Sequence, residues 1–445
     1  MPEAELPRKL KLFSLTSIVI GDMIGAGIFT TSGLLLAQLH DPLLLVLLWV
    51  IGGAIALSGA LSYGELGAKV PNSGGDYAFL TRLFSPLAGF LSGWVSFLVG
   101  FSAPVAASSL AFSEYVIRTL PEDVLPPQLD ITKKIIAVGI ILVFTLIHYF
   151  GLRSGSRVQN VLTSVKIGLI LVVIVTGFAF GDGSFEHFQI QKGDAIPGAN
   201  LKTMGLALMW ILFAYTGWNA STYVGSEVHN PVKNIPRSLI TGTFAVTVIY
   251  LLLNILYVYA IPPGEMEGVI SIGGLTANKL FNRSLDQVFS LFIALILLSA
   301  ISVLIIIGPR VYYAMAQSGH FFGLARKINR SWVPGISILM QSGLAIIYVM
   351  SGTFEQIITF LSFSLGIFPI LAVIGVFKLR IKGQTVLKVP GYPILPAFFI
   401  LSSSMVLTLA FLERPVESSI SIGVILAGIP AYYWLTGRHA KGSDD

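Results

Sequence analysis

The 445-residue chain has no cysteine, and only 11% of its residues are charged. Without cysteine it can form no disulfide, thiolate nucleophile or cysteine-ligated metal site. A soluble domain carries about 25% charged residues. Here 54% are hydrophobic and mean hydropathy is +0.82. That balance excludes a cytosolic enzyme, a disordered chain and a nucleic-acid-binding protein, although the pI is near 9.3. The six histidines (His40, His148, His187, His229, His320 and His439) never fall in HxxxH or HExxH spacing. No nucleophile, metal cluster or acid–base dyad stands at a spacing known from enzymes, and no repeated filter or charge ring marks a channel.

What the chain does have is apolar runs of spanning length, where a transmembrane helix needs about 20 residues. Twelve spans are expected at about 13–38, 42–66, 84–117, 132–151, 158–180, 201–228, 237–261, 286–314, 333–352, 354–378, 393–412 and 416–436. Turn-rich charged stretches such as Pro71–Asp76 and Asn230–Arg237 separate them. The basic N-terminal segment lacks a small-residue cleavage site, so the first apolar run reads as a retained span. With both termini cytoplasmic, cytoplasmic segments hold 19 of the 28 Lys and Arg. This positive-inside bias makes the net charge of +6 a topology signal. With charges at span ends counted with the flanking segments, Lys166 and Asp22 are the two charged residues left in the membrane.

Spans one and six differ from the rest. The first contains Gly21-Asp22-Met23-Ile24-Gly25-Ala26-Gly27-Ile28-Phe29, and the sixth Phe213-Ala214-Tyr215-Thr216-Gly217-Trp218-Asn219-Ala220-Ser221. Both place helix-weakening residues at mid-membrane. Interrupted spans at matching positions of two five-span halves point to an inverted-repeat transporter. A break near Met23–Ile28 would free N–H groups for a carboxylate and carbonyls for an ammonium, the two charges of an α-amino acid. The same small residues would equally suit a close helix-packing face.

The motifs have a family likeness. Ile24-Gly25-Ala26-Gly27-Ile28-Phe29 resembles the first-helix signature of the amino acid–polyamine–organocation superfamily. Phe213-Ala214-Tyr215-x-Gly217-Trp218-Asn219 is similar to the sixth-helix motif of its L-type amino acid transporter branch. Further matches, in family order, are Tyr63-Gly64-Glu65-Leu66, Pro71-Asn72-Ser73-Gly74-Gly75-Asp76-Tyr77, Glu227-x-x-Asn230-Pro231-x-x-x-Ile235-Pro236-Arg237, Arg310-x-x-Tyr313-Ala314-Met315-Ala316 and Pro390-Gly391-Tyr392-Pro393-x-x-Pro396.

The resemblance implies an all-α integral membrane protein with a LeuT-like 5+5 inverted repeat, helices one and six broken, and two further helices. The expected divisions are a cytoplasmic N-terminus (1–12), repeats at 13–180 and 201–378, spans eleven and twelve at 393–436, and a cytoplasmic C-terminus (437–445). It implies that Ala26, Gly27 and Ile28 receive the substrate carboxylate on backbone N–H groups. Met23, Ile24, Phe213, Ala214 and Thr216 would offer carbonyls to the ammonium, Phe213 would close over the substrate, and Trp218 and Asn219 would lie near the site. Spans three, eight and ten would complete the pocket. Ala26 stands where many L-type members have Ser, and Thr216 where Gly is common.

Lys166 lies about two turns inside span five, where a lysine costs about 2.5–3.5 kcal/mol. Either it snorkels, or its ammonium is tied to carbonyls of the broken first helix. The resemblance implies the second: some members carry a lysine here in the role that sodium plays in sodium-coupled relatives, which implies sodium-independent transport. Ser299 or Ser302 is its expected eighth-helix partner. Asp22 is either a proton acceptor in coupling or an acid lining a vestibule or paired with a base. Glu65, Glu227 and Arg310 read as gate or anchor charges or as solvated caps.

The expected function is secondary transport of neutral L-amino acids by alternating access, through exchange (antiport) or proton symport. The alternative is a permease for polyamines or other organic cations, with Asp22 as counter-charge. No cofactor, metal or nucleic acid is expected. Animal L-type members are often disulfide-linked to a single-span partner, which a chain without cysteine cannot be. Short termini and compact loops suit a bacterial inner membrane.

Overall fold

A computed structural model of the protein describes residues 8–120, 127–150, 155–189, 200–281, 283–351 and 354–441. Arg153, one of the 19 cytoplasmic bases, and residues 1–7 and 442–445 of the expected termini lie outside the described residues. Span one is two helices, α1 (Leu12–Met23) and α2 (Ala26–Leu39). Span two is α3 (Pro42–Lys69). A short α4 (Asp76–Leu83) leads into span three, which joins α5 (Pro86–Val95), a π-helical turn at Ser96–Gly100 and α6 (Ser102–Arg118). Spans four and five are α7 (Leu129–Phe150) and α8 (Gly155–Phe180). Span six holds α9 (Leu201–Ala214), and span seven is α10 (Pro231–Ala260). Short α11 (Pro263–Met266) and α12 (Ile272–Leu280) precede span eight, α13 (Arg283–Gln317). The last four spans are α14 (Gly335–Ser351), α15 (Phe354–Ile381), α16 (Ile394–Glu413) and α17 (Pro415–Lys441).

Ten of these stretches are long and apolar enough to cross a bilayer, and α9 and α14 are shorter apolar helices. The protein is thus all-α with about 12 spanning elements, as the hydropathy pattern predicts. Strands are absent among the described residues; only isolated bridges pair Leu10 with Val228 and Ser73 with Val224.

Local chemistry sets the helix ends. Asp41 caps α3 by accepting from the Leu43 and Leu44 N–H groups at 2.9 and 3.0 Å, with Pro42 in the first position. The seventh span begins at Pro231 rather than near 237. Proline preset for a helical φ starts α10, so residues that read as a separating turn are its first two turns.

Helix α8 shows the lipid logic of the fold. Its buried side holds Gln159, Thr163, Lys166, Ile170 and Ile174, at helical spacing, while Val161, Val165, Leu171, Val172 and Val175 are exposed. Polar groups turn inward and apolar ones outward, the reverse of a soluble amphipathic helix and the arrangement hydrocarbon demands. In the middle of the molecule α3 packs along α10, and α6 along α13. Helix α1 lies against α8, α10 and α13, and α2 against α9. The interruptions of spans one and six are thereby brought face to face.

Candidate substrate site at two helix breaks

Only Ile24 and Gly25 separate α1 from α2. Ile24 has φ −78° and ψ 84°, and Gly25 is extended at φ −117° and ψ −152° with no side chain capping α2. The first N–H groups of a helix have no intrahelical partner. Among the described residues none of the Ala26, Gly27 and Ile28 N–H groups reaches an acceptor. They form an uncapped, electropositive helix end.

The second break is longer than the first. After Ala214 no further α-helix forms before α10; residues 215–230 run through turns and two 3-10 segments, Ala220–Thr222 and Gly225–Glu227. Gly217 at φ +99° is one cause. Another is that side chains serve the backbone: Thr216 Oγ1 donates to the Phe213 carbonyl at 2.6 Å, and Thr222 Oγ1 to the Asn219 carbonyl at 2.7 Å.

The two breaks touch. A Cβ on Gly27 would lie 2.6 Å from the Ala214 Cβ, and one on Gly217 would lie 2.8 Å from both the backbone and a carboxylate oxygen of Asp22. Gly27 and Gly217 are therefore required by the crossing. Tyr250 of α10 ties the breaks together. Its hydroxyl lies 2.5 Å from the Met23 carbonyl and 2.9 Å from the Ala214 carbonyl, so its one hydrogen serves both.

Beside the crossing opens a cavity of about 1350 Å³, counting the solvent at its mouth. Of the substrate residues expected from sequence, Met23, Ala26, Gly27, Phe213, Ala214, Thr216, Trp218 and Asn219 line it. Asp22 does too, but Ile24 and Ile28 are buried and are not among its wall residues. Phe101, Pro104 and Ser108 come from span three, Ala300 and Leu304 from α13, and Leu365, Gly366, Phe368 and Pro369 from α15. These are the contacts of spans three, eight and ten that sequence did not name. Thr216 adds less polarity than its formula suggests, because its hydroxyl is turned back onto α9.

Lys166 is buried, with no snorkelling. Its ammonium donates to the Ile24 carbonyl at 2.6 Å and to the Gly21 carbonyl at 3.1 Å. The expected eighth-helix partners serve other groups. Ser299 Oγ accepts from Gln159 at 3.3 Å, and Ser302 Oγ lies 3.0 Å from His148 Nε2. Both positions are taken because Gln159 and His148, on spans five and four, reach the same face of α13.

The residues 10–435 match the family described as amino acid permease. The chain belongs to that family. Over 438 residues it is 31% identical to the human cystine/glutamate transporter, covering 97% of this chain and 86% of that one. It is 28% identical to the mouse b(0,+)-type amino acid transporter 1 over 436 residues, 96% and 88% of the two chains. It is 27% identical to the human large neutral amino acids transporter small subunit 2 over 434 residues, 96% and 80% of the two chains. The likeness expected from the motifs is thus present along almost the whole chain. These relatives are amino acid transporters and not enzymes, and they do not favour a polyamine permease.

In this permease Glu65, Glu227 and Arg310 are paired rather than solvated. Arg380 holds Glu65 through two bonds of 2.7 and 2.6 Å, and Arg310 holds Glu227 at 2.6 Å. Glu65 is 1% exposed and also accepts from Thr385 and the Val389 N–H. Arg380 had no motif to mark it. Asp76, at the start of α4, reaches the cavity wall and accepts a hydrogen bond from Tyr63. Burial pushes its carboxyl up to about 6. Tyr63 stacks edge-on against Trp218, 4.7 Å between centroids, so the network reaches the second break.

Proposed function

We propose that this permease carries neutral α-amino acids across the plasma membrane by alternating access, independently of sodium. One observation carries the reading: the unpartnered Ala26–Ile28 helix end opens onto a largely apolar cavity at the crossing of the two breaks. Such an end suits a carboxylate, and the wall lacks any Lys, Arg or His side chain to hold a second acidic group. Phe213 at the wall fits the role of a closing aromatic. Lys166, seated on the Gly21 and Ile24 carbonyls, supplies a fixed positive charge where a coupling cation would otherwise bridge the freed backbone.

The chain divides into inverted repeats at 13–180 and 201–378, with α16 and α17 outside them. Both termini are cytoplasmic, in a bacterial inner membrane. Transport needs no disulfide-linked subunit, and either exchange or proton symport drives it. Asp22 is the residue whose replacement separates the two. The decisive experiment is uptake of an amino-acid panel into proteoliposomes, with and without internal substrate, sodium and a pH gradient. Saturable, sodium-independent uptake of neutral amino acids is expected. An absolute requirement for sodium would overturn the role of Lys166.

A further inference from the structure

The start of α4 meets the leg of chain that follows the second break, residues 215–230. Ser73 pairs with Val224, Gly74 donates its N–H to the Tyr223 carbonyl at 3.2 Å, and the hydroxyls of Ser73 and Ser226 are bonded. Gly75, at φ +53°, lies so close to the Tyr223 ring that a Cβ there would run into it. Asp76 comes next and turns its carboxyl into this junction. It accepts from Tyr63 of α3, and the Tyr223 hydroxyl also faces it. That hydroxyl in turn accepts from Asn219 Nδ2 at 3.1 Å. Asp76, Asn219 and Tyr223 are all buried, and all three line the cavity. The junction is thus one wall of the cavity, at the end of α3 read above as cytoplasmic.

No ion pair reaches Asp76 among the described residues. Arg380 holds Glu65 of α3, and Arg310 holds Glu227 of the leg. Lys378 of α15 donates to the Leu83 carbonyl at the other end of α4, and His320 bonds Tyr77. Asp22, which acts on Tyr223, is a second acid. A carboxyl buried among hydroxyls without a cation binds its proton more tightly than one in water. Here burial raises it to about 6. The proton therefore favours the conformation in which the junction is shut, and its loss favours one in which water reaches Asp76. We propose that Asp76 is a proton-controlled latch: protonated, it keeps the leg of the second break on α3 and α4, and deprotonated, it draws in water and lets that wall of the cavity open. This rests on the transport reading above and holds whether exchange or proton symport drives the cycle. Near neutral pH the latch is set to open, and mild acidification shuts it.

The chain has no cysteine, so Ser221→Cys places a single thiol on the leg, at a buried position. Its rate of labelling by a maleimide, in purified full-length permease, reports opening of the leg. The same thiol in an Asp76→Asn background cancels the pH dependence of thiol chemistry. The ratio of the two rates is expected to rise about tenfold between about pH 5 and about pH 7.5, as the difference between a buried and a hydrated carboxyl requires. Tyr63→Phe removes a donor to the ionised form, so it is expected to move the midpoint of the rise to higher pH; it decides the matter should Asp76→Asn not fold. A ratio that stays level with pH, or an unmoved midpoint in Tyr63→Phe, overturns the proposal. Leucine exchange is measured in parallel in proteoliposomes held at equal pH on both faces. Asp76-dependent labelling without leucine exchange leaves the latch standing and overturns the transport reading; leucine exchange with a level ratio does the reverse.

Discussion

Lys166 donates to the Ile24 carbonyl at 2.6 Å and so closes the backbone gap that Gly25 opens between α1 and α2. A carbonyl freed in an apolar surrounding and left unmade costs about 1–3 kcal/mol. Lys166→Met keeps much of the side-chain length, yet strands both the Ile24 and the Gly21 carbonyls. The variant is expected to melt at lower temperature in detergent and to lose at least nine-tenths of its uptake. Wild-type uptake by this variant would show that the break holds without its ammonium.

Tyr250 does for the pair of breaks what Lys166 does for one. Phenylalanine fills the same space, so Tyr250→Phe isolates the hydroxyl that bridges Met23 and Ala214. The expected loss is about 1–3 kcal/mol, because the two carbonyls stay buried with nothing in its place. Uptake falls in parallel, since the crossing of α2 and α9 positions the cavity. Thermal unfolding of the two proteins side by side measures the first effect, and proteoliposome uptake the second.

Asp76 gives a pH prediction with a definite sign. Burial raises its carboxyl from the ordinary 3.8 to about 6 in the folded protein. Between those values the native state keeps a proton that the unfolded chain has released. Stability therefore falls as pH rises from about 4 to about 6, and this contribution is level above that. At 1.36 kcal/mol per pH unit, the change is of the order of 3 kcal/mol. Asp76→Asn removes it, so the variant is expected to gain on wild type across that window and no further above it. The measurement is the difference in melting temperature between the two proteins from pH 4 to 7.

Much of this was legible in the residues. Span positions followed from apolar length, since hydrocarbon leaves the backbone few alternatives. Gly27 and Gly217 marked the crossing because only glycine allows it, and Lys166 stood out through its cost. Tyr250 gave no signal: it lies in a run of apolar and aromatic residues, and only the third dimension brings it to Met23 and Ala214. Arg380 was hidden for the same reason, 315 positions from Glu65. The extent of the second break was not legible, because its motif reports where α9 ends but not that Thr216 and Thr222 turn their hydroxyls onto the backbone. Ser299 and Ser302 were misassigned because face and depth along α13 cannot be read from spacing to within one turn.

The two glycines of the first motif have opposite expected responses. A methyl on Gly27 would press into the Ala214 Cβ at 2.6 Å and its Cα at 2.7 Å, neither of which can swing aside, so Gly27→Ala must push α2 and α9 apart. Overpacking of this kind costs about 1–3 kcal/mol, and here it also displaces the helix end that receives the carboxylate. Gly27→Ala is expected to melt earlier and to lose uptake of every amino acid. Gly25→Ala meets only Ala300 and Ser108, at 3.8 and 3.9 Å, which is ordinary contact. The protein should fold normally. Its cavity, however, is narrower between α6 and α13, so uptake of leucine and phenylalanine should fall several-fold more than uptake of alanine. A panel of side-chain sizes run on both variants separates the outcomes. Uniform loss with Gly27→Ala and size-dependent loss with Gly25→Ala place the substrate side chain against Ser108 and Ala300, whereas a size-independent response to Gly25→Ala places it elsewhere on the wall.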